Sequence, residues 1–177
     1  MTADRENDAI FSFYPVIIKR IICIARGRFP VRSCRAFTVE IMKISPIKLK
    51  DSEGYSLSLT IDRIYEVLGI EADKYRVLTD PESKPYGNDP VLYDPDCFRI
   101  IDPQEPDFWT CQYGEEGERY CYPPEWNEVG FFEYYHDGIS EVREKFWNLL
   151  KSYYPETWNE RKGTANIGFQ RTPDGAR

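Results

Sequence analysis

The pattern around residue 116 constrains the fold of this chain more than any other feature. The aromatic-rich stretches "FWTCQY" and "ERYCYP" lie on either side of the turn sequence "GEEG", residues 114–117. Two such stretches joined by a short glycine-containing turn are typical of a β-hairpin. With Glu116 at the apex, Cys111 and Cys121 lie opposite each other, because each is five residues from it. This part of the chain is therefore predicted to form an antiparallel pair of strands.

The two facing cysteines leave two interpretations open. Directly paired strand residues lie close enough for their sulfur atoms to meet, so Cys111 and Cys121 could form a redox-sensitive disulfide. Alternatively they are two small apolar side chains packed on one face, and a reducing compartment favours this interpretation. The chain has five cysteines without a CxxC pair, and His136 is its one histidine, so no metal site and no cofactor are expected. We expect a cytoplasmic protein with reduced cysteines.

Short strand patterns fill residues 55–102. In "IYEVLGIEADKYRVLTD", residues 64–70 and 74–79 are predicted to form a first hairpin with residues 71–73 as its turn. A helix over residues 60–68 has tolerable apolar spacing and is the alternative. A proline-rich loop at residues 80–90 is followed by the short strand "VLY", a tight turn at "DPDCF" and the strand "FRIID".

These strands, residues 57–102, resemble the small SH3-like barrels found in many short bacterial proteins. The similarity rests on a YEVL-type strand, a YRVL-type strand, a short Leu-Tyr strand and a Phe-containing strand that ends in an acidic residue. The long loop at residues 80–90 departs from the compact form of these barrels. The resemblance implies an SH3-like barrel that acts as an interaction module.

The sequence "DGISEVREKFWNLLKSYY" gives the clearest helix prediction. Ser140 can cap its N-terminus, and Pro155 is expected to end it. Its apolar residues recur at helical spacing and form one stripe: Val142, Phe146, Leu149, Leu150 and Tyr153. Strands followed by a helix predict an α+β fold, with a small SH3-like β-barrel, a second β-hairpin and a C-terminal α-helix. We expect a single domain at residues 42–158 and a disordered tail at residues 159–177.

Charge divides the chain into two parts. Residues 1–50 hold ten Lys and Arg against four Asp and Glu, whereas residues 51–162 hold eleven against twenty-five. The basic N-terminal arm, residues 1–41, is interpreted as flexible: a dispensable or start-site extension, an edge strand or a targeting arm. No membrane contact is expected, because Lys19 and Arg20 interrupt the apolar run of this arm. The acidic body should repel nucleic acid and favour a basic protein partner.

Acidic and aromatic residues around the second hairpin form the candidate binding site: Trp109, Tyr113, Glu115, Glu116, Glu118, Tyr120 and Trp126. Aromatic rings are frequent anchors in protein interfaces, and acidic side chains around them attract basic partners. We expect a non-enzymatic protein-interaction domain, with an immunity or antitoxin-like protein as the most specific hypothesis. The alternatives are a carbohydrate or small-ligand binding module that uses the same rings, and a hydrolase that uses paired carboxylates.

Candidates for catalysis are few. His136 beside Asp137 could carry protons, but we favour a structural or surface histidine. The hairpin carboxylates, together with Asp94 and Asp96 at the barrel turn, have the chemistry to act as acid and base or to hold Mg²⁺ or Ca²⁺. Charges at turn tips are usually solvated, so no catalytic residue is assigned.

Overall fold

The computed structural model describes residues 40–84 and 87–164, which form an α+β fold of two antiparallel sheets and three α-helices. The strands are β1 (Lys43–Pro46), β2 (Tyr65–Glu66), β3 (Gly69–Glu71), β4 (Lys74–Leu78), β5 (Pro90–Tyr93), β6 (Phe98–Asp102), β7 (Thr110–Tyr113) and β8 (Arg119–Tyr122). The helices are α1 (Phe131–His136), α2 (Ser140–Tyr153) and α3 (Pro155–Arg161), and single 3₁₀ turns lie at Pro95–Cys97 and Pro124–Trp126. The predicted α+β class is confirmed.

The strands pair in two separate sheets. One has the order β2-β1-β6 and the other the order β5-β4-β3-β8-β7. Both predicted hairpins are present: β3 pairs with β4 across a two-residue turn at residues 72–73, and β7 pairs with β8 with Cys111 opposite Cys121. The strand at "VLY", the helical turn at "DPDCF" and the strand at "FRIID" also form where the sequence predicts them.

The predicted strand at residues 64–70 is divided between the two sheets. Its first part is β2, which pairs with β1, and its second part is β3, which pairs with β4 and β8. The change occurs at Val67 and Leu68, whose amides donate to the carbonyls of Met42 and Arg76, both at 2.9 Å. Because these backbone groups are used between strands, the alternative helix over residues 60–68 does not form.

The second sheet stays open. Its edges are β5 and β7, and among the strands of the described residues no closed barrel forms. The SH3-like barrel is therefore not confirmed. The physical reason is that β3 pairs with β8 of the second hairpin as well as with β4. The second hairpin therefore extends the sheet at β3, and β3 does not pair with another described strand of the predicted barrel.

Two hydrophobic clusters hold the fold together. One contains side chains from both sheets, including Val67 and Val77, which are 0% and 1% exposed. The other joins the second sheet to the helices and is built around Trp126. The Trp126 ring stacks against the rings of Phe146 and Tyr154, with centroids 5.0 and 5.6 Å apart. Aromatic packing therefore fixes the helices to the sheet.

Helix α2 has the apolar face that its sequence predicts. The side chains of Phe146 and Leu150 are fully buried. Val142, Leu149 and Tyr153 are partly buried against the same cluster. The stripe at helical spacing is therefore confirmed.

The ends of the helical region differ from the prediction. Ser140 is already the first helical residue, and no side-chain hydrogen bond caps α2. Pro155 follows the end of α2, but it also begins α3, since proline has no amide hydrogen to lose in a first turn. Helix α1 was not predicted at all. It is short, with six residues.

The folded region extends beyond residues 42–158 at both ends. Ile41 is 4% exposed in the cluster with the helices, and Arg161, in the expected tail, is 2% exposed. Both residues are therefore part of the packed core, although they lie just outside the predicted domain, residues 42–158. The rest of the basic arm and residues 165–177 lie outside the described residues, as do the predictions made for them. No helix within residues 40–84 and 87–164 is long and apolar enough to cross a bilayer.

Candidate functional site

The tip of the β7–β8 hairpin carries the predicted acidic residues. Its turn closes through a hydrogen bond from the Gly114 amide to the Glu118 carbonyl (2.9 Å), and the Glu118 carboxylate accepts a hydrogen bond from the Glu116 amide (3.0 Å). Gly117 has a φ of 89°, which glycine adopts without steric cost. Glu115 and Glu116 are exposed, and their carboxylates form no ion pair with the part of the chain that the structure describes. The tip thus presents two unpaired carboxylates to solvent.

A concave groove lies beside this tip, between the second sheet and α1. We call it the acidic groove and define it by Glu71, Tyr120, Glu128, Phe132 and Glu133. Its volume is about 230 Å³, and an adjoining cavity of about 380 Å³ shares Glu71, Phe132 and Glu133 with it. The Tyr120 hydroxyl lies 3.4 Å from the Glu118 carboxylate and donates to it. The groove is therefore continuous with the hairpin tip.

Strand register explains why the groove residues share one face. Glu71 on β3 pairs with Tyr120 on β8, which in turn pairs with Gln112 on β7. Side chains of directly paired strand residues lie on the same side of a sheet. This side faces α1, whose residues Phe132 and Glu133 complete the wall of the groove.

A buried cation lies under the acidic groove. Arg76 is 3% exposed, and its guanidinium lies 3.6 Å from the centroid of the Phe132 ring. It donates from Nη2 to the Glu71 carboxylate and from Nε to the Tyr122 hydroxyl, both at 2.6 Å. Gly69 makes room for this arrangement, because a Cβ at that position would overlap the Tyr122 ring. The charge of Arg76 is thus neutralised by Glu71 below the surface of the groove.

The surface of the groove carries the carboxylates of Glu128 and Glu133. Glu133 is exposed, and its carboxylate forms no hydrogen bond or ion pair with any described residue. Glu128 accepts from Lys145 at 3.0 Å, but its side chain is 61% exposed, so solvent screens this pair. Partial desolvation, followed by the nearby charge of Arg76, lowers the pKa of His136 from its usual value, although part of the side chain is exposed.

The hairpin divides its aromatic residues between two faces. Tyr120 lies on the side of the acidic groove, whereas Tyr113 pairs with Arg119 and lies on the side of the two cysteines. Tyr113 is 70% exposed. The structure therefore brings Tyr120 together with the acidic tip and places Tyr113 on the opposite face.

The two predicted tryptophans are largely covered by the fold. Trp126 borders the acidic groove but is 1% exposed and stacks inside the core, so very little of its ring is open to a partner. The spacing of aromatic residues in the sequence gave no sign of which rings the helices would cover. Trp109 is partly buried, and its indole nitrogen donates to the Tyr154 hydroxyl at 2.8 Å. Only part of the Trp109 ring is available to a partner.

The structure joins Cys111 and Cys121 in a disulfide. The interpretation as two reduced cysteines is therefore wrong, although their predicted register is confirmed. Disulfides persist in oxidising compartments, so the bond gives no support to a cytoplasmic location. Their sulfur atoms and the Glu105 carboxylate lie within 4.8 Å of one another. Glu105 is already paired with Arg119 at 2.8 Å, and bonded sulfurs offer no thiolate to a metal.

The turn carboxylates considered for catalysis are paired with lysines. Asp94 lies 3.2 Å from Lys74, and Asp96 lies 2.7 Å from Lys48. The hydrogen bond from Lys48 lowers the pKa of Asp96, which is the opposite of what a general acid requires at neutral pH.

Glu71 and Glu133 line the groove but were not predicted as residues of the site. Glu71 was assigned only to a hairpin turn. A signal for the position of Glu133 was present, because Gly130 and Gly138 flank "FFEYYH". Both glycines have positive φ, 82° and 84°. Glycines on both sides of an apolar-rich stretch are typical of a short helix.

Comparison with known proteins assigns no family to this chain. No family model, no curated protein and no solved structure matches it. The function of the chain is therefore proposed from the geometry of the described residues.

Proposed function

We propose that this chain is a non-enzymatic protein-interaction domain that binds a basic protein partner through the acidic groove and the adjoining hairpin tip. One observation carries the proposal: the carboxylates of Glu115, Glu116 and Glu133 are exposed, form no ion pair with residues 40–84 and 87–164, and adjoin a concave surface lined by Tyr120 and Phe132. An immunity or antitoxin-like protein is the most specific form of this proposal. Such a protein would neutralise a basic toxin by covering the cationic site of the toxin with its acidic surface.

The two parts of the surface are expected to act differently. The tip carboxylates are exposed, and charges at the rim of an interface mainly attract the partner during diffusion. The groove has aromatic walls, and a partner side chain held there would be shielded from water. The tip should therefore control the association rate, and the groove should control the dissociation rate.

The proposal is tested by binding kinetics with a partner isolated from the source cell. The first variant replaces Glu115, Glu116 and Glu118 together with glutamine. Its association should be roughly tenfold slower at low salt, because steering charges have been removed. The difference should shrink at high salt, where charges are screened. Its unfolding transition should stay within about 1 kcal/mol of the wild type, since exposed charges contribute little stability.

A matched control separates the site from net charge. The triple variant Glu53→Gln, Glu82→Gln and Glu144→Gln changes the charge by the same amount at exposed positions that do not line the groove. Its association rate should stay close to that of the wild type. Equal slowing by both triple variants would show that only net charge matters, and no slowing by the tip variant would exclude the tip.

The groove is tested with a tyrosine pair. Tyr120→Ala should raise the dissociation rate roughly tenfold, as expected for loss of an aromatic anchor. Tyr113→Ala is the control, because Tyr113 is exposed on the opposite face of the same hairpin. A faster dissociation for Tyr113→Ala alone would place the contact on the face of the disulfide and refute the groove.

The carbohydrate alternative has weaker support. Sugar binding by stacking needs exposed rings, and Trp126 is buried while Trp109 is partly covered and bonded to Tyr154. The same kinetics distinguish the alternatives. Binding of a basic protein weakens with ionic strength, whereas stacking on a neutral sugar does not.

A further inference from the structure

A second cavity, independent of the acidic groove, lies between β2, β4 and α3. Its volume is about 250 Å³. Its lining includes Val77 and Leu78 of β4, which are 1% and 2% exposed. Two of its lining residues, Glu66 and Arg161, are ionisable side chains that are more than nine-tenths buried. Buried charged side chains are rare unless all their polar atoms have partners.

Arg161 lines this cavity and has unused hydrogen-bond donors. Its Nη2 atom lies 3.4 Å from the Asp80 carboxylate. Its Nε and Nη1 atoms are buried and have no hydrogen-bond partner within residues 40–84 and 87–164. Arginine is the side chain best suited to hold a carboxylate, because it offers several donors in one plane.

Glu66 contributes an unused acceptor to the same cavity. Its Oε2 atom accepts from the hydroxyl and the amide of Thr157, at 2.6 and 3.2 Å. Its Oε1 atom is buried and accepts no hydrogen bond from the described residues. Thr157 therefore fixes the carboxylate of Glu66 and leaves its second oxygen for another donor.

We infer that this cavity binds a small carboxylic acid that also carries an amine or hydroxyl group. The ligand carboxylate would accept from Nε or Nη1 of Arg161, and its amine or hydroxyl would donate to Oε1 of Glu66. A short aliphatic stem would lie against the apolar residues of the lining, which include Ile64 and Val77. The cavity is smaller than the roughly 300 to 1,000 Å³ of sites for drug-sized molecules, so the ligand is small.

Ion pairs at the cavity restrict its occupants further. Lys43 pairs with Glu156 and Arg63 pairs with Glu160, each at 2.9 Å, and three of these four residues line the cavity. Charges of both signs lie close together there, which favours a ligand that also carries both signs. An amino acid with separated charges therefore fits better than a simple anion.

The inference is tested by thermal unfolding of the full chain with three probes at constant ionic strength. The probes are γ-aminobutyrate, butyrate and butylamine. A ligand that binds only the folded state raises the melting temperature in a saturable way. We expect the largest saturable rise with γ-aminobutyrate, a smaller one with butyrate and none with butylamine. The absence of a saturable rise with both carboxylates overturns the inference.

Three variants locate the effect. Arg161→Lys keeps a positive charge beside Asp80 but removes the unused donors, and it should weaken γ-aminobutyrate binding at least tenfold. Glu66→Gln, which is informative even if Arg161→Lys fails to fold, should abolish the preference for γ-aminobutyrate over butyrate. Lys145→Gln is the control and should bind as the wild type does, because Lys145 does not line this cavity. Unchanged binding in Glu66→Gln would contradict the site, even if the protein binds the probe elsewhere.

Discussion

Replacing Asp80 with asparagine tests how the packing of α3 depends on one buried carboxylate. Asp80 is 7% exposed. It accepts hydrogen bonds from the Thr60 hydroxyl at 2.7 Å and the Tyr65 hydroxyl at 2.9 Å, and it is the ion-pair partner of Arg63 and Arg161. The variant keeps the shape of the side chain and one acceptor oxygen but removes the charge.

The expected loss of stability is about 3 kcal/mol. The side chain of Arg161 is 2% exposed, and removal of one partner of a buried ion pair costs roughly 3 to 5 kcal/mol because the other charge stays buried. The Arg63 pair adds little, since its side chain is 37% exposed and solvent screens it. The lower end of the range applies because asparagine can still accept from Thr60 or Tyr65.

A double-mutant cycle measures the coupling directly. Urea unfolding followed by circular dichroism gives the free energy of unfolding for Asp80→Asn, for Arg161→Met and for both together. Arg161→Met alone should cost about 1 kcal/mol, because Asp80 keeps its other partners. The double variant should be about 2 kcal/mol more stable than the sum of the single effects predicts. Additive effects, or a loss below about 1 kcal/mol for Asp80→Asn, would refute this account of α3.

Three further predictions follow from the core, the disulfide and the second cavity. Phe146→Ala should lower the free energy of unfolding by about 3 to 5 kcal/mol, because Phe146 is fully buried. Lys151→Ala should lower it by almost nothing, because Lys151 is exposed. Equal losses in urea unfolding would contradict the assigned face of α2. Replacing Cys111 and Cys121 with alanine should cost about 2 to 3 kcal/mol through the lost loop constraint, and a reductant should then change the stability of the wild type alone. Burial raises the pKa of Glu66, so its contribution to stability is present below the unfolded pKa and is lost as the pH rises through the raised folded value. Relative to the wild type, Glu66→Gln should therefore gain stability between pH 4 and pH 7, and a constant difference across this range would contradict the burial of the charge.

Local patterns predicted the elements whose neighbours in space are also neighbours in the sequence. The β7–β8 hairpin formed in its predicted register because a short turn fixes the pairing of its strands. Helix α2 was visible because its stripe, with Phe146 and Leu150 at its centre, repeats at helical spacing.

Contacts between residues that lie far apart in the sequence could not be predicted from these local patterns. Nothing in residues 64–70 indicates that Val67 and Leu68 bond to different sheets, since both are apolar and both are fully buried. The burial of Trp126 is another example, because it depends on Phe146 and Tyr154, which lie 20 and more residues further along the chain. The acidic groove is a further example, because Glu71 and Glu133 are far apart in the sequence and come together only in the folded protein. Residues that meet only in the folded protein leave no signal in local spacing.

Because residues 65–71 are divided between the two sheets, local unfolding of one sheet at this point is coupled to local unfolding of the other. The amide of Val67 belongs to the hydrogen-bond network of one sheet and the amide of Leu68 to that of the other. The two amides belong to consecutive planar peptide units that meet at the Cα atom of Val67, so a local fluctuation that moves this atom away from one sheet displaces both amides. Native-state hydrogen exchange should therefore give Val67 and Leu68 the same free energy of opening, and the two sheets should melt as one cooperative unit.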